Sequence, residues 1–210
     1  MSAKRSRPAR PEARKAVDLS AREFLADRAR CFEAASVGEY PRQVEALASA
    51  ALACLRGGGR ILVFGNGGSA SLAQHFAGEM VGRFLKDRRP LPALSLAAEA
   101  ATLTAIANDF AYERVFSRQL EALARPGDLA LGLSTSGKSP NVIAALERAR
   151  QLGLKTAVLS GKGGGPAARV AEIAAIVPSD DTGFIQEAHE AALHYLCHLA
   201  DAAFPEGGAK

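Results

Sequence analysis

Residues 60–80 read RILVFGNGGSASLAQHFAGEM: an apolar run over Arg60–Phe64, a glycine turn at Gly65–Gly68, and a helical pattern from about Ser69 that carries His75 and Glu79. An uninterrupted apolar run is expected of a strand covered on both faces, and a glycine turn leading into a helix makes the start of a βα unit. On that helix the four-residue spacing stacks an imidazole and a carboxylate on one face, within reach of one substrate or one metal ion.

Outward from this unit the pattern repeats. Strands are predicted at Ala93–Leu96, Asp128–Leu133, Lys155–Leu159 and Ile173–Val177, with helices over Glu99–Ala107, Tyr112–Leu123, from Ser139, and over Thr182–Ala202. Two further helices, Ser20–Ala35 and Pro41–Leu55, precede the first strand, and Gly161–Gly165 reads as a glycine-rich turn. The expected fold class is α/β: a doubly wound parallel-sheet sandwich with N-terminal helices. Ligands of such sheets sit beyond the carboxyl ends of the strands, where the turns GNGGSAS and STSGKSPN fall.

STSGKSPN, Ser134–Asn141, places the hydroxyls of Ser134, Thr135, Ser136 and Ser139 around a glycine turn that opens a helix. Ser139 before Pro140 fits an N-cap and first helical position, which suits an anion. The spacing is not that of a Walker A loop, and hydroxyls suit a sugar phosphate; a capped turn without ligand has the same composition. Lys138 either adds charge there or is simply solvated. GNGGS lacks the dinucleotide fingerprint, so a nicotinamide cofactor is disfavoured. Its glycines let backbone approach a small ligand, with Asn66 and Ser69 offering side-chain hydrogen bonds. In the last helix Gln186, Glu190 and His194 are spaced by four and form one stripe. A lone histidine on such a helix, His189 or His198 included, reads first as a packing residue.

With 210 residues, 48% hydrophobic and 23% charged, the chain suits one well-buried domain. No apolar stretch is long enough to span a bilayer and no secretory leader is evident, so no membrane and a cytoplasmic location are expected. The formal charge of +4 arises in the first fifteen residues, where six basic side chains face only Glu12. The remainder is near neutral, so no nucleic-acid partner is expected for the folded domain. Residues 1–19 are expected to be a disordered basic tail, 20–203 the domain and 204–210 a flexible C-terminus. Cys31, Cys54 and Cys197 are expected as buried, reduced thiols.

GNGGSASLAQHFAGEM, LTAIANDFAYERVFSRQ, LSTSGKSPNVIAAL and IQEAHEAALHYLCHL, in this order over residues 20–203, resemble the sugar-isomerase (SIS) domain family, and within it the heptose-phosphate isomerases. The resemblance implies a homotetramer with active sites shared between subunits. It also implies an aldose–ketose isomerase converting sedoheptulose 7-phosphate to D-glycero-D-manno-heptose 7-phosphate through an enediol, toward the heptoses of surface polysaccharides such as lipopolysaccharide. Carried over by motif, the catalytic carboxylate falls on Glu79 and the catalytic histidine on His194. Substrate contacts fall on Asn66, Gly67, Gly68, Ser69, Asn108, Asp109, Ser134, Thr135, Ser136, Ser139 and Gln186. A Zn²⁺ quartet would comprise His75, Glu79, Gln186 and His194. Moving a proton between C1 and C2 needs one group for the carbon-bound proton and another for the oxygen protons, which a carboxylate and a histidine can divide.

The chain departs from the pattern at Thr182-Gly183-Phe184, where relatives carry a polar or charged residue, and at Lys138, where they carry asparagine. Two rival readings share the fold: a non-enzymatic member that associates with the bacterial replication initiator and lacks the carboxylate, and a sugar-phosphate sensor that needs no acid/base pair. Glu79 together with His194 favours the enzyme.

Overall fold

The computed structural model describes residues 20–205; the expected basic tail, and residues 206–210 of the expected C-terminus, lie outside the described residues. The elements are α1 (Ala21–Ala35), α2 (Glu39–Arg56), β1 (Ile61–Gly65), α3 (Gly68–Val81), β2 (Ala93–Ser95) and α4 (Ala100–Asp109). They continue with α5 (Ser117–Leu123), β3 (Leu129–Ser134), α6 (Pro140–Gln151), β4 (Lys155–Ser160), α7 (Gly165–Val170), β5 (Ile173–Ile176) and α8 (Thr182–Ala203).

All five strands are parallel, in the order β2-β1-β3-β4-β5. The uniformly apolar strands are explained by two cores, one on each face. Ile61, Val63, Leu131 and Leu133 face α2, α3 and α8, where Leu47, Phe76, Met80 and Leu196 pack. Leu62, Phe64, Ala130 and Val158 face α5 and α6, with Leu120, Val142 and Leu146. Alternate residues point to opposite sides of a strand, so both sets must be apolar.

Two expectations change in detail. The helix expected over Tyr112–Leu123 is a 3₁₀ turn at Tyr112–Arg114 followed by α5. The glycine-rich segment feeds a six-residue helix, α7, too short to register as periodicity. Only Cys197 is fully buried; Cys31 and Cys54, though free thiols, are half-buried, because they lie on helices whose outer faces meet solvent.

Helix α1 touches the body mainly along α8. Phe32 meets the buried Phe184 edge-to-face at 5.1 Å. Arg28 pairs with Asp181 at 3.3 Å and with Glu187 at 3.4 Å. Phe184, near the start of α8, is therefore an anchor for α1. At the other end Phe204 is buried under Arg89, and Pro205 bridges to Arg88.

Candidate functional site

The sheet order changes direction between β1 and β3, and the crevice beyond such a reversal is where doubly wound sheets bind ligands. Both ligand turns lie there, GNGGS after β1 and STSGKSPN after β3. A pair of amides ties them together. Asn66 Nδ2 donates to Asn141 Oδ1 and Asn141 Nδ2 donates to Asn66 Oδ1, each at 2.8 Å. The Tyr112 hydroxyl donates to Asn66 Oδ1 at 3.0 Å. Most of the Asn66 hydrogen-bonding capacity expected for substrate is thus committed to joining the two loops.

In the serine loop Ser134 is buried and its Oγ lies 3.0 Å from that of Ser139. Ser136 Oγ accepts from the Lys138 N–H at 3.2 Å, and Lys138 itself is exposed. Ser139 occupies the N-cap of α6 as expected, but its hydroxyl does not cap; Asn141 Oδ1 accepts from Val142 N at 3.0 Å instead. Gly137, at φ 62°, lets the loop cross the backbone of Gly164 so closely that no side chain fits between them. Thr135, half-buried, completes the turn.

Helices α3 and α8 pack side by side through Met80, Leu193, Leu196 and Cys197. Their seam carries the acid/base residues. His75 Nε2 and His194 Nε2 lie 2.9 Å apart, and His75 Nδ1 points to Glu79 Oε1 at 3.8 Å. Phe84 stacks on His194 with ring centroids 5.2 Å apart. At the head of α3, Gln186 lies over Gly68, where an added Cβ would stand 2.5 Å from Gln186 Nε2. Gly67 caps α3, and Ser69 is buried at its first turn.

The expected residues Asn108 and Asp109 are not brought to this cluster. Both are exposed at the end of α4, and Asn108 Nδ2 donates to Asp109 Oδ1 at 2.8 Å.

One buried positioning pair escaped the sequence reading. Arg88 and Asp201 form a buried pair, Nε to Oδ1 2.9 Å, and Arg88 also donates to the carbonyls of Glu79 (2.7 Å) and Met80 (2.8 Å). It thereby closes the C-terminal turn of the helix that bears Glu79. Two charged residues 113 positions apart give no local signal. His189 is fully buried behind the site with neither ring nitrogen hydrogen-bonded. Burial pushes its pKa down to about 4, against a smaller upward pull from the nearby Ser160 backbone, so its ring is neutral at pH 7.

Doubly wound topology, a hydroxyl-rich anion loop and an imidazole–carboxylate cluster define a sugar-phosphate-handling α/β protein. A family model described as SIS domain matches residues 23–161, and the chain belongs to that family. Proteins similar to the chain include phosphoheptose isomerases. It is 54% identical to a probable phosphoheptose isomerase of Thermoplasma volcanium over 69% of this chain and 74% of that one. It is 51% identical to a phosphoheptose isomerase of Geobacter sp. over 78% of this chain and 85% of the relative. Among solved structures, a phosphoheptose isomerase from Francisella tularensis superposes with a TM-score of 0.82 at 34% identity, covering 86% of this chain and 96% of that chain.

Proposed function

We infer that the protein is an aldose–ketose isomerase that converts sedoheptulose 7-phosphate to D-glycero-D-manno-heptose 7-phosphate for surface-polysaccharide heptoses. The observation that carries this reading is Glu79 and the His75–His194 pair gathered on one helix seam, in a chain half-identical to phosphoheptose isomerases.

The substrate phosphate is assigned to Ser134, Thr135, Ser136 and Ser139, at the N-terminal end of α6, where hydroxyls and the helix dipole favour an anion. Gly67, Gly68 and Ser69 let the sugar approach backbone, Gln186 adds an amide, and Asn66 offers its one remaining amide hydrogen. Glu79 accepts the proton from the carbon. The C–H electron pair becomes the C1=C2 bond of the enediol, and His194 passes a proton to the carbonyl oxygen. Return of a proton to the neighbouring carbon, with loss of one from the other oxygen, completes the exchange without any external oxidant. Each placed acid/base group is worth about 10²–10⁴-fold in rate.

The donor chemistry also fits Zn²⁺: ring nitrogens of His75 and His194 and a Glu190 carboxylate oxygen lie within 4.8 Å of one another, and Glu79 Oε1 lies 3.8 Å from His75 Nδ1. His75, Gln186 and His194 would hold the ion, with Glu79 as the family resemblance implies. Bound there, zinc would supply Lewis-acid polarisation of the substrate's carbonyl.

A homotetramer with shared sites is supported by α1. Its Phe24, Leu25 and Phe32 are exposed, beside an apolar groove of about 410 Å³ lined by Tyr40, Val44, Ala188 and Tyr195. Asn108 and Asp109 would then serve a neighbouring subunit's site. A cytoplasmic location follows from a charged phosphate-ester substrate, and no helix among the described residues is long and apolar enough to cross a membrane.

NMR of sedoheptulose 7-phosphate incubated with the purified protein tests the reading directly. New aldose anomeric signals are expected. Tight sugar-phosphate binding without conversion would instead favour a sensor.

A further inference from the structure

We propose that Lys162, on the loop after β4, is the cation of the phosphate site: its ammonium group binds the substrate phosphate that the serine loop holds. The hydroxyls of Ser134, Thr135, Ser136 and Ser139 bring no formal charge, whereas a phosphate monoester carries nearly two negative charges at pH 7.

The loops after β3 and β4 run together. Their strands end in register, with Ser134 opposite Ser160, whose Oγ donates to the Ser134 carbonyl at 2.8 Å. Ser136 and Lys162 each follow two residues later. Contact continues beyond them, because Gly137 crosses the backbone of Gly164 and its carbonyl accepts from the Ala167 N–H at 3.0 Å. On its other side Lys162 is tied toward α8: its N–H donates to the Ser179 carbonyl at 3.0 Å and its Nζ donates to Thr182 Oγ1 at 2.9 Å. Thr182 stands one turn before Gln186, which lies over Gly68, on the same side of α8. The ammonium group is thus held between the serine loop and the head of the helix face that lines the site.

The backbone shows that this side chain is retained against a cost. Among the described residues Lys162 is the one non-glycine residue in the left-handed region, at φ 51°, and Gly163, Gly164 and Gly165 follow it at 73°, 79° and 55°. Glycine adopts that conformation freely, and a Cβ makes it unfavourable. A lysine held there, in a run otherwise of glycine, points to a use for its charge. Lys138, the rival cation, is exposed on the serine loop itself. Lys162 is also exposed but is positioned by Thr182, so less side-chain freedom is lost when it meets an anion.

The inference rests on the isomerase reading for the identity of the sugar, so its test reads binding as well as turnover. Calorimetry with sedoheptulose 7-phosphate and with inorganic phosphate, NMR kinetics and thermal melts are compared for the wild type, Lys162→Met, Lys162→Gly, Lys162→Arg and Thr182→Val. Lys162→Met is expected to weaken both ligands and raise KM about tenfold, with kcat within about twofold, as one charge-assisted contact is lost at a partly screened position. Its affinity should also fall less steeply with added salt. Lys162→Gly should lose as much affinity although its backbone is relieved and its melting temperature stays within about 4 °C of the wild type. Lys162→Arg should recover most of the loss. Wild-type affinity in Lys162→Met and Lys162→Gly overturns the proposal, as does a larger loss in a Lys138→Gln variant. An equal loss in Thr182→Val overturns it too, because the lysine would then act only as a tie between loop and helix. If the affinity pattern holds while no aldose forms, only the isomerase reading falls; if turnover is normal and the Lys162 variants keep wild-type KM, only this proposal does.

Discussion

Asn66 and Asn141 clasp each other through two 2.8 Å amide hydrogen bonds across the point where the sheet order reverses. One amide belongs to the glycine turn and the other to the first turn of α6, directly after the serine loop. Asn141 is buried, and Tyr112 closes the network from the 3₁₀ turn. The clasp sets the distance between the loop assigned to phosphate and the turn assigned to the sugar.

Asn141→Asp keeps the shape but removes the amide donor and sets a carboxylate against Asn66 Oδ1. A stability loss of about 1–3 kcal/mol is expected for an unsatisfied buried pair. KM should rise more than kcat falls, because the loops lose register while the acid/base groups stay put. Urea unfolding together with steady-state kinetics checks both; an unaltered KM would detach the clasp from substrate positioning.

Glu79→Gln should lower kcat by about 10²–10⁴-fold and leave sugar-phosphate affinity within a few-fold, because the amide fills the same space without accepting a proton. Turnover is followed by NMR and affinity by calorimetry. Near-normal turnover in this variant removes Glu79 from the chemistry.

Gly68→Ala brings a methyl to 2.5 Å from Gln186 Nε2, the movable end of a flexible side chain, so the amide must swing away. The melting temperature should hold or rise slightly, as expected for alanine at a permitted helical position. KM should rise several-fold if Gln186 touches substrate, and an unchanged KM argues that it does not.

Burial by itself would raise the Asp201 carboxyl pKa, but the Leu85 and Lys86 N–H groups and the Arg88 guanidinium outweigh it and hold the pKa below the usual aspartate range. The unfolded chain therefore binds the proton first as pH falls. The stability this carboxylate contributes is complete above about pH 4 and lost as pH drops through the depressed folded value. Asp201→Asn should flatten that acid limb in urea titrations. It should also cost about 3–5 kcal/mol at pH 7, since Arg88 is left buried without its partner. Activity should fall alongside, because Arg88 holds the carbonyls at the end of the Glu79 helix.

Much of this molecule could be read from local pattern. Apolar runs such as ILVF and LALGL mark strands covered on both faces, and the four-residue step from His75 to Glu79 places them together on α3. The hydroxyls of Ser134–Ser139 mark an anion loop wherever the chain goes afterwards. Such features depend on residues a few positions apart, and helical or extended geometry then dictates where they point.

What only the tertiary structure decided depends on distant segments meeting. His75 and His194 are 119 residues apart, and only the packing of α3 on α8 brings their nitrogens together. Asn66 loses most of its freedom for substrate to Asn141, 75 residues away. Arg88 finds Asp201 across 113 positions. Strand order likewise follows from which crossovers bury the most apolar surface on both faces of the sheet, a property of the whole chain that no window of sequence contains.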